Sequence, residues 1–249
     1  MWRAAMTKRT DRLDQKALRE MDVVFVENEW MLRHVEQVAP SAEAIFCPPG
    51  IDTSQFTPSK TSFDERDYIL SVGRFGDPRK NPKLLFQAYA NLRQCLGDEA
   101  PRLVLAGRTP PSTEAWELAK EIGIRGEITF YENISSNHLS SLYRGAKLFV
   151  LSSDEEGLGL VILEAMASGV PVVSTDCGGP ATAVEQGETG ELVPTGNASA
   201  LCQAMKTLLQ DPLKLENLGR RARRRAETVF SEEAAGARFL KEYDRLLSA

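Results

Sequence analysis

Glu156 and Glu164 stand eight residues apart, separated by Gly157-Leu158-Gly159 and then by a uniformly apolar run. Placed along a helix, that spacing is a rise of about 12 Å, comparable with the span from a ribose across a diphosphate to an attached sugar. Two carboxylates at the ends of such a span accept hydrogen bonds from vicinal hydroxyls. The backbone N–H groups from Gly157 to Leu160 point out of the helix start, where the macrodipole favours an anion such as a diphosphate. Glycines there let a ligand come close to the backbone. The pattern suits a ligand with hydroxyls at both ends and negative charge in the middle.

Positioning these groups requires a strand before them and a helix through them. Leu148 to Leu151 reads as the strand, and Leu160 to Ser168 reads as the helix, stopped by Gly169 and Pro171. Similar apolar runs recur at Val23 to Val26, Ile69 to Val72, Leu103 to Ala106, Ile128 to Phe130 and Val172 to Ser174. From Ile69 onward they alternate with helical stretches at Pro82 to Leu96, Thr113 to Ile122 and Asn137 to Gly145. Strands that are apolar throughout and alternate with helices predict an α/β fold, a Rossmann-like parallel sheet with helices on both faces. Such a sheet binds ligands at the carboxyl ends of its strands. Another loop at that end carries Gly73 and Arg74 and then, six residues on, Lys80, just before a helix expected from Pro82. Pro48, Pro49, Gly50 and Pro58 mark Cys47 to Thr61 as a linker, and the pattern after Asn197 is purely helical.

Composition limits the function classes. The chain has 249 residues, 42% of them hydrophobic, and a formal charge of -5, which argues against a nucleic-acid partner bound through bulk positive charge. Cys47, Cys95, Cys177 and Cys202 form no C-x-x-C pair and have no histidine at zinc-site spacing, so a reduced, cytoplasmic protein is expected. No apolar run reaches the roughly 20 residues that span a bilayer. Five arginines between Arg220 and Arg225 crowd one helix, which reads as a solvated face or as a contact with anionic lipid at the inner face of a membrane. Phe86, Tyr89 and Tyr143 are expected in the core, and His34 and His138 have no partners that suggest catalysis. A Rossmann dehydrogenase fits poorly, because Ile162 occupies the place of its third glycine.

The stretch from Leu148 to Val173, with E-x7-E followed by A-M-A-S-G-V-P-V-V, resembles the family-4 retaining glycosyltransferases of GT-B fold, in their C-terminal half. The resemblance implies that Glu164 contacts the donor ribose and Glu156 lies near the donor sugar, with Gly157, Leu158 and Gly159 offering backbone donors. Ser71 to Leu85 is similar to the segment in which the family's arginine and lysine bind the donor diphosphate, here Arg74 and Lys80 after Gly73. Lys80 rather than Arg79 is chosen because Asn81-Pro82 follows it. Weaker matches are Pro48 to Pro58, the base-reading run Ile128 to Ile134, and Asp176 to Gly179. Pro49, Thr182 and Ala106-Gly107-Arg108-Thr109 depart from the family's pattern.

What the resemblance implies is sugar transfer from a nucleoside diphosphate sugar to a hydroxyl acceptor, with retention. The acceptor class is a sugar, a lipid-linked compound or a small molecule, and neither a cofactor nor a metal is expected. The catalytic set is Glu156, Arg74 and Lys80. Residues 1–52 would be the remnant of an acceptor domain, 53–66 a linker, 67–228 the nucleotide-sugar domain, and 229–249 a helix returning toward the acceptor side. Self-association through the surface left exposed is expected. Alternatives are a non-catalytic nucleotide-sugar-binding or interaction module, an inactive fragment, or a nucleotide-sugar epimerase of the same fold.

Overall fold

Successive residues of a strand face opposite sides of a sheet, and in this protein both sides are apolar. Ile69, Leu103, Leu105, Leu148, Val150 and Val173 pack on one side with helices Pro82–Leu96, Thr113–Glu121 and Ala198–Leu209. Leu70, Val72, Val104, Ala106, Phe149, Leu151 and Val172 pack on the other with helices Ser136–Gly145, Leu160–Ala167 and Pro212–Val229. Two apolar cores on the two faces of one sheet account for the unbroken hydrophobic runs.

The computed structural model describes residues 12–248. Its strands are β1 (Val23–Val26), β2 (Glu43–Phe46), β3 (Tyr68–Val72), β4 (Arg102–Gly107), β5 (Ile128–Glu132), β6 (Leu148–Leu151), β7 (Val172–Asp176) and β8 (Gly190–Pro194). The chain forms two compact units, one comprising Gly50–Ala234 and the other the segments up to Pro49 and from Ala235 onward.

In the larger unit six parallel strands run in the order β5-β4-β3-β6-β7-β8. The chain winds outward from β3 to β5, then returns to place β6 beside β3 and winds the other way. That reversal is the topological switch point, which opens a crevice at the carboxyl ends of β3 and β6. The expected fold class is the observed one.

Helix ends follow the sequence closely. Asn81, Ser112, Ser135, Asn197 and Asp211 each cap a helix by accepting a backbone N–H. Helix Leu160–Ala167 differs, starting at a left-handed Gly159 (φ 80°) with no side-chain cap. It stops at Gly169 (φ 67°), where Gly169 N–H bonds Met166 O and Val170 N–H bonds Ala165 O, a Schellman pair. Two strands, β2 and β8, have no counterpart among the apolar runs, because their residues are mostly half-exposed or polar. Residues 53–66, expected as a linker, lie within the larger unit and bury Phe56 and Arg66 there.

The smaller unit pairs β1 with β2 in parallel and packs Val26, Val35, Ala39 and Ala42 into a small core. Phe25 meets Phe239 and Tyr243 of helix Glu232–Leu247 at ring distances of 5.3 and 5.7 Å. This unit leaves Trp30, Leu240, Tyr243 and Leu247 exposed. Among the described residues no helix is long and apolar enough to cross a membrane.

Candidate functional site

Two loops leave the sheet at the switch point, and hydrogen bonds stitch them together. The loop after β3 runs through Gly73 and Arg74 to a single 3-10 turn, Pro78–Lys80, capped by Asp77. Ser152, just after β6, donates from Oγ to Lys80 O (3.0 Å), and Asp154 N–H donates to Arg79 O (2.7 Å). Asn81 holds a left-handed conformation (φ 43°), caps helix Pro82–Leu96, and donates from Nδ2 to Asp154 Oδ1 at 3.0 Å. With its backbone fixed this way, Lys80 turns inward. Its Nζ donates to Glu156 Oε1 at 2.5 Å, with the two side chains 16% and 11% exposed. Ser153 Oγ donates to the same oxygen at 2.6 Å. Arg79, one residue away, points outward and pairs with Asp77 at 2.8 Å. The Arg79 hydrogen bonds hold the Asp77 carboxyl down at about 2.

Glu164 lies inside helix Leu160–Ala167 and is half-buried. Tyr143, wholly buried on helix Ser136–Gly145, donates from its hydroxyl to Glu164 Oε2 at 2.6 Å. Burial pushes the Glu164 carboxyl up from the usual value, and the Tyr143 hydrogen bond pulls it part of the way back. At the helix start, Gly159 is left-handed and Leu158 turns its side chain into the core at 2% exposure. Gly157 and Glu156 are held from behind by the turn after β7, where Gly179 N–H donates to Glu156 O at 3.1 Å. A β-carbon on Gly179 would stand 1.9 Å from Gly157 O, so this contact requires glycine.

Gly73, Arg74 and Lys80 line a cleft of about 400 Å³ together with Gly107, Arg108, Asn133, Ile134, Leu139 and Val161. The loop after β5, in which Asn133 is left-handed (φ 50°), therefore faces the loop after β3. Arg74 is 65% exposed and only loosely held by Asp77 at 4.0 Å. A larger cavity, about 530 Å³, lies at the opposite, amino end of the sheet beside Thr61, Arg66, Gly169 and Arg223. Its most buried arginines are engaged by carbonyls, Arg66 by those of Ala146 and Thr61, and Arg223 by those of Thr53, Phe56 and Ala167. Arg74 and Lys80 line the smaller cleft, whereas Glu156 does not line it and is joined to it through Lys80.

Phe86, Tyr89 and Tyr143 are fully buried, as expected. His34 stacks on Trp30, and His138 meets Tyr131 and does not line the cleft. Of the five clustered arginines, Arg221, Arg223 and Arg225 pair with Glu188, Glu227 and Glu185. Among the described residues no group of three or more His, Cys, Asp or Glu side chains is placed so that it could hold a metal ion. Two residues escape the sequence reading. Arg108 adds a third cation to the cleft at a position where the sequence only departs from a pattern. Tyr143 carries a polar end that helix-face spacing does not reveal.

The larger unit is thus a doubly wound parallel α/β domain, with cations on one lip of its switch-point cleft and Glu156 beside an uncapped helix start. The chain belongs to the glycosyl transferases group 1 family, whose profile matches residues 52–225. It is 30% identical over 232 residues to a GDP-mannose-dependent alpha-(1-6)-phosphatidylinositol monomannoside mannosyltransferase of Mycolicibacterium smegmatis, covering 87% of this chain and 60% of that protein. It is 31% identical over 230 residues to a D-inositol 3-phosphate glycosyltransferase of Rhodococcus jostii, covering 87% and 50%. The structure superposes on sucrose-phosphate synthase of Thermosynechococcus elongatus with a TM-score of 0.84 at 28% identity, covering 95% and 61%. The chain thus spans 50% to 60% of the length of these curated relatives. Its architecture is that of the C-terminal domain of GT-B glycosyltransferases.

Proposed function

We propose that this chain is the nucleotide-sugar-binding part of a family-4, retaining glycosyltransferase, transferring a sugar from a nucleoside diphosphate sugar to a hydroxyl acceptor. The observation that carries the reading is the meeting of Lys80 with Glu156 at the switch point, beside Arg74 and an uncapped helix start. In this reading Arg74 and Lys80 neutralise the diphosphate, with Gly73 leaving room for it. Leu158 and Gly159 supply backbone N–H groups at the loop that Gly157 holds close. Glu156 accepts hydroxyls of the sugar and Glu164 those of the ribose. As the glycosidic bond breaks, charge develops on the diphosphate, and fixed cations stabilise it without reorganising. Neither a cofactor nor a metal is required.

Residues 67–228 hold the donor in the same reading, and residues 1–52 and 229–249 belong to the acceptor side. The names of the two relatives make GDP-mannose the first donor to try, and inositol-containing hydroxyl compounds, lipid-linked or small, the first acceptors. Free thiols at Cys47, Cys95, Cys177 and Cys202 support a cytoplasmic setting. A lipid contact would fall to Arg220 and Arg224, and self-association to the exposed Trp30 and Leu240.

Calorimetry with GDP, UDP and their sugar forms, followed by product analysis with and without acceptor, tests the reading. Donor binding with acceptor-dependent transfer, in the presence of the remaining length of a relative, supports it. Binding without any transfer under those conditions favours a non-catalytic module, and product formed without acceptor favours an epimerase. No binding of any nucleoside diphosphate removes it.

A further inference from the structure

The surroundings of Glu164 contain an arrangement that packing alone does not require. Tyr143 is clamped by aromatic neighbours, with Phe56 edge-on at 5.6 Å and Phe149 tilted at 5.7 Å. Its ring is packed between them, and its hydroxyl is aimed at Glu164 Oε2 (2.6 Å), with Val161 O as a second acceptor at 3.2 Å. Glu164 Oε1 makes no hydrogen bond among the described residues and is absent from the buried unsatisfied atoms, so it keeps access to solvent. One helical turn before each of these two residues stands a wall residue of the cleft, Leu139 before Tyr143 and Val161 before Glu164. Residues three and four apart share a helix face, which sets the Tyr143–Glu164 pair directly behind that wall.

We propose that Tyr143 is a positioning residue for Glu164, fixing one carboxylate oxygen so that the other meets the vicinal hydroxyls of the ligand's ribose. This rests on the assignment of Glu164 to the ribose made above. A carboxylate on a flexible side chain loses rotamer freedom when it binds a diol, and a hydrogen bond already holding it removes part of that loss before the ligand arrives. The same hydrogen bond favours the ionised form, the stronger acceptor toward both hydroxyls.

The experiment compares a ribonucleoside diphosphate with its 2′,3′-dideoxy counterpart, binding to wild type, Tyr143→Phe, Glu164→Gln and the double variant. The wild type is expected to prefer the ribonucleotide. Tyr143→Phe is expected to reduce that preference about three- to tenfold, the effect of one net hydrogen bond, and to leave dideoxy binding unchanged. Burial alone then acts on Glu164, so the preference is lost at a higher pH in Tyr143→Phe than in wild type. In a Glu164→Gln background the second substitution is expected to add nothing. If Tyr143→Phe does not fold, 3-fluorotyrosine provides the second measurement, since it keeps the ring and strengthens the donor, and it should lower the pH midpoint. A ribose preference and pH midpoint unmoved by Tyr143→Phe, or a midpoint unmoved by fluorotyrosine, overturns the role of Tyr143 while Glu164→Gln still lowers the preference. If Glu164→Gln also leaves the preference intact, the ribose assignment falls with it.

Discussion

Lys80 Nζ and Glu156 Oε1 stand 2.5 Å apart although 76 residues separate them in the chain. The contact spans the switch point, joining the loop after β3 to the loop after β6. Each charge compensates the other in a partly buried place, where an unpaired charge is costly. A diphosphate entering the cleft competes with Glu156 for Lys80, and that competition makes the pair informative.

Lys80→Ala and Arg74→Ala are each expected to weaken binding of a nucleoside diphosphate by about 1–3 kcal/mol, the range for hydrogen bonds to charged groups. Glu156→Gln is expected to act in the opposite direction on the bare diphosphate, because it removes the competing carboxylate, and to weaken binding once a sugar is attached. Titration calorimetry on the four proteins decides this. Identical affinities in wild type, Lys80→Ala and Arg74→Ala would remove both cations from the site.

Gly179→Ala tests the turn that supports the helix start. Its β-carbon would sit 1.9 Å from Gly157 O, 2.3 Å from Gly157 C and 2.7 Å from Leu158 N, all backbone atoms that no rotamer change can clear. The loop must shift, at about 1–3 kcal/mol by analogy with overpacked cores. Both the melting midpoint and nucleotide affinity are expected to fall. A variant with normal stability and affinity would show that the Gly157 loop does not depend on this contact.

Much of this arrangement is legible in the sequence, for identifiable reasons. Leu103 and Leu148 begin runs in which every residue is apolar, and those from Ile69 and Val172 are broken only by Ser71 and Ser174, because each strand is covered on both faces. Asn81 and Gly169 announce helix ends through backbone conformations that few other residues adopt. The strands β2 and β8 give no such signal: β2 has only three apolar residues after Glu43, Glu191 interrupts β8, and β8 forms an edge of its sheet. Within the site, Gly73, Arg74, Lys80 and Glu156 lie in loops whose spacing resembles a known family, and the fold brings them together. Tyr143 is invisible at that level, because helical spacing marks it as core, which it is, and says nothing of where its hydroxyl points. Arg108 escapes because its neighbours, unlike those of Arg74, match no pattern.

Nucleotide binding is expected to be independent of divalent metal. The cleft already presents Arg74, Lys80 and Arg108 to a diphosphate, which supplies the neutralising charge that magnesium provides in other phosphate sites. Affinity measured in a chelator and again with magnesium or manganese checks this. Affinity lost in the chelator and restored by either ion would contradict it.

Keeping Glu164 ready for a ligand costs the fold stability. Burial raises its carboxyl above the ordinary value of 4.5, and the Tyr143 hydrogen bond only partly opposes this. The folded protein therefore holds the Glu164 proton more tightly than the unfolded chain does. Stability contributed by that proton is complete below the ordinary carboxylate value and is lost as pH rises through the raised one. Above the raised value the carboxylate is ionised in its buried position, and the penalty applies. Glu164→Gln removes the charge while keeping an oxygen for Tyr143 to bond. At pH 8 the variant is expected to melt about 2–4 °C higher than wild type, the shift that roughly 1 kcal/mol produces at this size. The gain should shrink as pH falls through the raised value, where wild type regains its proton. Nucleotide affinity should move the other way, because a neutral amide is a weaker partner for ribose hydroxyls than a carboxylate. Thermal melts across pH 5 to 8, paired with calorimetry at pH 8, measure both effects. A variant that melts below wild type at pH 8 would show that Glu164 stabilises the fold as an ion, and the trade between stability and binding at this position would not exist.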